Sequence, residues 1–292
     1  VSGIGARFLA IDWGTTNRRV YLIDKGTVRH TERDGLGVTS IAHDRFAHEL
    51  AALRDRFGDL PVLMAGMVGS TVGWQVAPYV GLPADIDALA AQLLWIDART
   101  AIVPGLSRIG DRADVMRGEE VQLLGAAVAG LVPPDCIVAQ PGTHCKWVTL
   151  HCGAVADFQT AMTGELYALL REHSLLAPQL GGDVAVGPAF AAGVAEGRKQ
   201  TLAASLFGVR AAALLGQLAA ADAASFTSGI LIGADVAAQV DRCDSDEFHI
   251  LDDTQLGALY AAALATFGRR VRIVSSAQAF AAGMAAIGAR TT

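Results

Sequence analysis

Two short turns in this 292-residue chain carry groups suited to holding anionic oxygens. The first is Asp12-Trp13-Gly14-Thr15-Thr16, and the second is Gln140-Pro141-Gly142-Thr143. A glycine in a tight turn lets backbone N–H groups come close to a ligand, and threonine hydroxyls add further donors. Asp12 cannot bind a phosphate directly; its natural partner is a Mg2+ ion that carries the phosphate. The pair of turns therefore suits ATP with Mg2+, bracketed at its phosphates. Taken alone, Asp12 to Thr16 serves a plain structural hairpin equally well, and it is the second turn that favours the nucleotide.

The elements that must position these turns follow one grammar, used twice. Arg7 to Asp12 is a short apolar run that enters the first turn. Arg18 to Ile23 and Thr27 to Arg33 read as two further strands, joined by the turn Asp24-Lys25-Gly26. An amphipathic helix follows, with Phe46, Leu50, Leu53 and Phe57 at helical spacing. Val62 to Met67 and Ala101 to Val103 complete a set of five strands. The set repeats from Cys136 to Ala139, with Lys146 to Leu150, a turn at Cys152-Gly153, and Ala154 to Phe158. Gly229 to Gly233 (GILIG) and Val271 to Val274 read as the fourth and fifth strands of the second set. Each half closes in a helix rich in small residues, Glu119 to Leu131 and Ala277 to Ile287, suited to close crossing at a hinge. This predicts a first domain over 1–131 that ends in a linking helix. A second spans 132–292, with an insertion near 160–200 and a last helix over 277–289 packing back at the hinge.

Composition narrows the function. Lys and Arg number 23 against 29 Asp and Glu, a net charge of −6, with 6% aromatics and no basic block. That argues against a nucleic-acid partner. The stretch from Ile273 to Ala289 carries Ser275, Ser276, Gln278 and two glycines, so no membrane span is expected there. No export signal is read at the start, and the expected location is the cytoplasm. His144-Cys145 and His151-Cys152 resemble metal ligands, but the strand between them places the two pairs about 23 Å apart, too far to share an ion. No G-x-x-x-x-G-K-[ST], helix-opening G-x-G-x-x-G, G-x-S-x-G or H-E-x-x-H occurs, so dehydrogenase and hydrolase readings have no support.

The blocks IDWGTTNRRVYL, MAGMVGSTVGWQVAPYV, DVMRGEEVQLLGA, QPGTHCKWV and MTGELYALL resemble, in that order, the 2-dehydro-3-deoxygalactonokinase family. That family lies within the actin-like, sugar-kinase and heat-shock ATPase superfamily. The resemblance implies an α/β fold of two ribonuclease-H-like (actin-like ATPase) domains, each with a mixed sheet, and an interdomain cleft. It implies MgATP-dependent phosphorylation of the 6-hydroxyl of 2-dehydro-3-deoxy-D-galactonate, a step of galactonate catabolism. By the same resemblance Asp12, Gly14, Thr15 and Thr16 form the first phosphate loop, Gly142 and Thr143 the second, and Gly233 stands near the adenosine.

Related kinases carry their catalytic carboxylate at the start of the linking helix, which leaves Glu119, Glu120 and Asp114 as the choice here, with Glu119 favoured. Acids in a first helical turn also complement the helix dipole with no catalytic role. Arg19 and Arg117 are candidates for the sugar-acid carboxylate, since arginine binds carboxylates bidentately; Arg18 is expected closer to the phosphates. Trp74 and Tyr79 resemble a substrate-side loop, although Val76 stands where glutamate is more usual. Glu165 opens a helix that reaches toward the substrate, and Thr163 is a good N-cap for it. Two alternatives stay open: a kinase of this fold for another hexonate or a polyol, and a nucleotide sensor with no acceptor chemistry. A homo-oligomer is also left open.

Overall fold

The structure is a computed structural model that describes residues 3–291. The first part of the chain contains β1 (Arg7–Trp13), β2 (Arg18–Asp24), β3 (Thr27–Asp34), α1 (Phe46–Phe57), β4 (Val62–Gly66), β5 (Tyr79–Gly81), α2 (Ile86–Ala91), β6 (Leu94–Asp97), β7 (Thr100–Ile102), β8 (Gly105–Arg108), β9 (Asp114–Met116) and α3 (Glu119–Val128). The second part contains β10 (Cys136–Gln140), β11 (Cys145–His151), β12 (Ala154–Ala161), α4 (Thr163–His173), α5 (Pro188–Gly197), α6 (Leu202–Leu214), α7 (Ala223–Val240), β13 (Glu247–Leu251), α8 (Gln255–Thr266), β14 (Arg270–Val274) and α9 (Ser276–Ala289).

The duplication is visible in the topology. One sheet runs β3-β2-β1-β4-β7-β6 and the other β12-β11-β10-β13-β14, so five strands share one order. In the first, β2 pairs antiparallel with β1 and β3, while β4 pairs parallel with β1 and β7. In the second, β13 likewise lies parallel between β10 and β14. The hairpin turns match as well: Lys25 and Gly26 have φ of 51° and 75°, and Cys152 and Gly153 have 52° and 78°. Paired left-handed residues suit the right-handed twist of a tight hairpin. A small third sheet, β5-β8-β9, was not foreseen, because strands of three or four residues leave no periodicity to read.

Contacts divide the chain into two units. The first comprises Val1–Asp135, Thr149–Phe158 and Ser275–Thr292, and the second Cys136–Val148 and Gln159–Val274. In the first unit, Leu9, Ile11 and Trp13 of β1 pack with Phe46, Leu50 and Leu53 of α1 and with Val62 and Met64 of β4. In the second, Trp147, Phe248 and Ile250 pack with Val236 of α7 and Leu259 and Tyr260 of α8.

One expected strand is corrected. Residues 229–233 lie in the middle of α7, and the fourth strand of the second set is Glu247–Leu251. A short apolar run bounded by glycines reads the same way for a buried strand and a buried helix. Here both glycines are used for helix packing: a Cβ on Gly233 would lie 2.6 Å from the Val194 carbonyl oxygen of α5. With 18 residues and a mean hydropathy of 1.3, α7 is long and apolar enough to cross a membrane, yet 78% of it is buried inside the protein. It is a core helix.

Within the first unit, α3 crosses α9 at backbone contact. A Cβ on Gly125 would fall 2.0 Å from the Ala279 carbonyl oxygen, and one on Gly283 would fall 2.2 Å from that of Val121. Gly283→Val must push the helices apart, and overpacking of this kind destabilises by about 1–3 kcal/mol or more. A melting temperature several degrees below wild type is expected in a thermal scan; an unchanged one would contradict the close crossing.

Candidate active site

The first unit gathers its acids around two glycine turns. Asp12 sits at the end of β1, and β2 places Arg19 opposite it in register. The first phosphate-type turn closes with the Gly14 N–H donating to the Asn17 carbonyl (2.9 Å). Its rear carbonyls are occupied: Gly14 O accepts from Val38 N at 3.0 Å and Thr15 O from Thr39 N at 3.2 Å. Thr15 and Thr16 are exposed at its tip.

Gly66, with φ of 94°, brings the end of β4 against β1, where a Cβ would stand 2.9 Å from the Trp13 carbonyl oxygen and 3.6 Å from Asp12 Oδ1. Gly118 (φ 106°) brings the start of α3 onto Gly66, with its Cβ position 3.0 Å from the Gly66 Cα. Neither glycine was singled out from the sequence as a functional position. Gly66 ends a buried strand and Gly118 precedes two glutamates, which is the signal that could have found them.

These contacts bring Asp12, Arg19 and Glu119 together and separate the three candidate bases. Asp12 is recessed and partly open to solvent; burial pushes its carboxyl up to about 6, Arg19 pulls it down, and the charge of Glu119 pushes it up. Glu119 is part-buried, and its Oε2 accepts from the Arg117 backbone N–H (3.0 Å). Glu120 points into the protein and is 0% exposed. Its Oε2 accepts from the Gly118 N–H at 2.6 Å, while Oε1 has no partner among the described residues. Burial, then the neighbouring Glu119, pushes the Glu120 carboxyl up to about 8. Asp114 lies on β9, with its carboxylate 3.5 Å from Arg112.

The expected substrate residues separate as well. Arg117 lies 4.3 Å over the Tyr79 ring and donates from Nη2 to the Ala77 carbonyl (2.8 Å). Its Nε and Nη1 are buried without a partner among the described residues. Trp74 stacks on Phe46 with ring centroids 6.1 Å apart, so it faces the α1 core, while Tyr79 is exposed. Arg18 is committed to the fold: it is 3% exposed, bonded to Asp34 (2.8 Å) and Glu49 (3.3 Å), and lies over the Trp13 ring.

In the second unit, the Gly142-Thr143 turn rests on the first turn of α4. A Cβ on Gly164 would lie 2.3 Å from the Gly142 carbonyl oxygen, and the Glu165 N–H donates to the Thr143 carbonyl (2.8 Å). The Glu165 carboxylate meets His144 Nε2 at 2.5 Å. Thr163 is the first residue of α4 and not its cap. Beside this turn opens a cavity of about 280 Å³, lined among others by Gly142, Gly164, Tyr167, Gln255, Leu256 and Tyr260. Gly233 faces α5 through its contact with Val194, while its neighbours Leu231 and Ile232 and the start of α8 line the cavity. His151 sits at the far end of β11 from His144 and meets Asp135 at 2.6 Å.

A carboxyl held well above its ordinary value keeps its proton more tightly in the folded state than in the unfolded one. The stability that Glu120 contributes is therefore complete below about pH 4.5 and is lost as pH rises through about 8. Glu120→Gln stays neutral and keeps an acceptor for the Gly118 N–H. Its melting temperature should fall less between pH 5 and 8 than that of wild type. Parallel profiles for the two proteins would contradict the burial of an ionisable carboxyl here.

The sequence profile described as 2-keto-3-deoxy-galactonokinase matches residues 12–287. The 2-dehydro-3-deoxygalactonokinase of Escherichia coli K12 is 39% identical over 287 residues, which cover 97% of each chain. The crystal structure of a Sinorhizobium meliloti protein provisionally named a 2-dehydro-3-deoxygalactonokinase superposes with a TM-score of 0.90 at 34% identity. That match covers 96% of this chain and 97% of the other. An activator of 2-hydroxyisocaproyl-CoA dehydratase from Clostridium difficile, solved with ADPNP, shares the fold at a TM-score of 0.51 and 12% identity, over 96% of this chain and 93% of that one. The architecture is that of the actin-like ATPases and sugar kinases, and the chain belongs to the 2-keto-3-deoxy-galactonokinase family.

Proposed function

We propose that this protein transfers the γ-phosphoryl group of MgATP to the 6-hydroxyl of 2-dehydro-3-deoxy-D-galactonate, giving the 6-phosphate and ADP. The observation that carries the reading, in a chain of this family, is the meeting of Asp12, Arg19 and Glu119 at the Gly66 and Gly118 turns. Phosphoryl transfer asks little covalent chemistry of a protein. It asks for positioning, charge neutralisation and a carboxylate that takes the acceptor proton.

Each residue has a part in that scheme. Asp12 is an oxygen donor made reluctant to ionise by burial and by Glu119, and a hard divalent cation relieves both effects. Mg2+ bound there supplies neutralisation of the charge on the transferred phosphoryl group. Glu119 is the base: it is partly open, its Oε2 is oriented by the Arg117 N–H, and it stands at the N-terminus of α3. Glu120 is closed off and neutral up to about pH 8, so it shapes the turn at Gly118 and touches no substrate. Asp114 is assigned no proton transfer, since it lies on β9 with Arg112.

Arg19 and Arg117 are the guanidiniums on offer to the acceptor's carboxylate, and Arg117 also braces the segment from Ala77 to Tyr79 at the start of β5. In the second unit, Gly142 and Thr143 hold nucleotide phosphates, and the neighbouring apolar cavity takes the base of ATP against Leu256 and Tyr260.

The reading is tested by ADP release from MgATP with 2-dehydro-3-deoxy-D-galactonate, its gluconate epimer, D-galactonate or glycerol as acceptor. Release is expected to require the named acid. Release with glycerol or another hexonate instead would move the substrate, and none with any acceptor would favour a nucleotide sensor. Glu119→Gln should lower kcat by about 10²-fold or more, the range of a lost general base, and Asp12→Asn should lose turnover strongly. Near-normal turnover in either variant would remove that residue from its role.

A further inference from the structure

Beneath the second glycine turn lies a buried carboxylate that has no part in the proposed chemistry. Asp235 stands within α7 and is 9% exposed. Its Oδ1 accepts from Trp147 Nε1 (2.9 Å), and its Oδ2 accepts from Thr163 Oγ1 (2.9 Å) and the Tyr260 hydroxyl (2.7 Å). The donors come from β11, the first residue of α4 and the middle of α8, and each is itself buried. Burial pushes the Asp235 carboxyl up, and the three hydrogen bonds pull it back.

A carboxylate is a costly way to fill a core, and replacing buried polar groups with apolar ones of similar size is often neutral for stability. What the carboxylate adds is direction, because three donors must converge on two oxygens. One of them, Thr163, is followed at once by Gly164 and Glu165, whose backbones rest on Gly142 and Thr143. Another, Tyr260, lines the cavity beside that turn, as does Thr163.

We propose that Asp235 is a positioning residue for the nucleotide. By drawing Thr163 and Tyr260 toward one point, it sets the first turn of α4 under the Gly142-Thr143 turn and fixes one wall of the adjoining cavity. The proposal rests on the reading of that turn as the nucleotide phosphate site. The donor geometry predicts an uneven mutational pattern. In Asp235→Asn, the amide oxygen still accepts from Trp147 Nε1–H, and the amide nitrogen donates to the Thr163 and Tyr260 hydroxyls, which accept as readily as they donate. Three hydrogen bonds survive without the charge. Asp235→Ala keeps none of them, and Thr163→Val removes one.

The test is ADP binding by calorimetry with wild type and these three variants, together with separate KM values for ATP and for the sugar acid. Asp235→Asn should bind ADP within about threefold of wild type. Asp235→Ala and Thr163→Val should weaken ADP binding and raise the ATP KM about tenfold, on the scale of one or more lost hydrogen bonds. The sugar-acid KM should stay within about twofold in all of them. A general loosening of the fold would move both KM values, and that result would overturn the proposal. ADP affinity unchanged in a folded Asp235→Ala would overturn it too, as would Asn behaving like Ala, which would make charge the important property. Should Asp235→Ala fail to fold, Thr163→Val decides. Wild type that binds no ADP would bring down the phosphate-site reading itself, a result separate from any difference among the variants.

Discussion

The contact on which the candidate active site depends is made mostly of backbone. Where α3 crosses α9, Gly125 and Gly283 leave no room for side chains, so the axis of α3 is set by main-chain atoms that cannot change rotamer. That axis fixes where α3 begins. Its start, Gly118, in turn touches Gly66, which touches the end of β1 beside Asp12. Glu119 is thus carried to Asp12 by a chain of backbone contacts and not by a flexible side chain. Effective positioning of catalytic groups demands this rigidity, since small displacements at a reacting centre are expensive in rate.

The second unit solves the same problem by different means. Its glycine turn lies on Gly164, but the helix that bears Gly164 is held from below by the polar cluster around Asp235. In one unit the acids gather at the glycine turns, and apolar small-residue helices support them. In the other, an apolar cavity opens beside the turn, and a buried acid lies beneath it. The two sheets keep one strand order while the material under their turns has diverged.

Much of this was legible in the residues. The hairpins announced themselves by Lys25-Gly26 and Cys152-Gly153, and α1 by the spacing of Phe46, Leu50 and Leu53. The phosphate-type turns and the acid pair at 119–120 were visible as motifs. What stayed hidden depends on partners distant in sequence. GILIG reads as a strand until α5 is seen against it, which left Glu247–Leu251 unread. Arg18 on its strand gives no sign in the sequence of Asp34 and Glu49, which hold it in the fold. Thr163 has the residue type of a helix cap, and it spends its hydroxyl on Asp235, 72 positions away. That Glu120 is buried while Glu119 stays partly open depends on the direction of each side chain, which adjacent identical residues cannot reveal.

The central claim is that phosphorus passes from ATP to a primary hydroxyl of the sugar acid, and the phosphorus NMR spectrum of the reaction mixture tests it most directly. With MgATP and 2-dehydro-3-deoxy-D-galactonate, a phosphomonoester resonance should grow in step with ADP, split into a triplet by the two protons of the C6 methylene. Inorganic phosphate in place of the ester would contradict the account, because the protein would then hydrolyse ATP. A doublet would contradict it as well, because the acceptor would be a secondary hydroxyl.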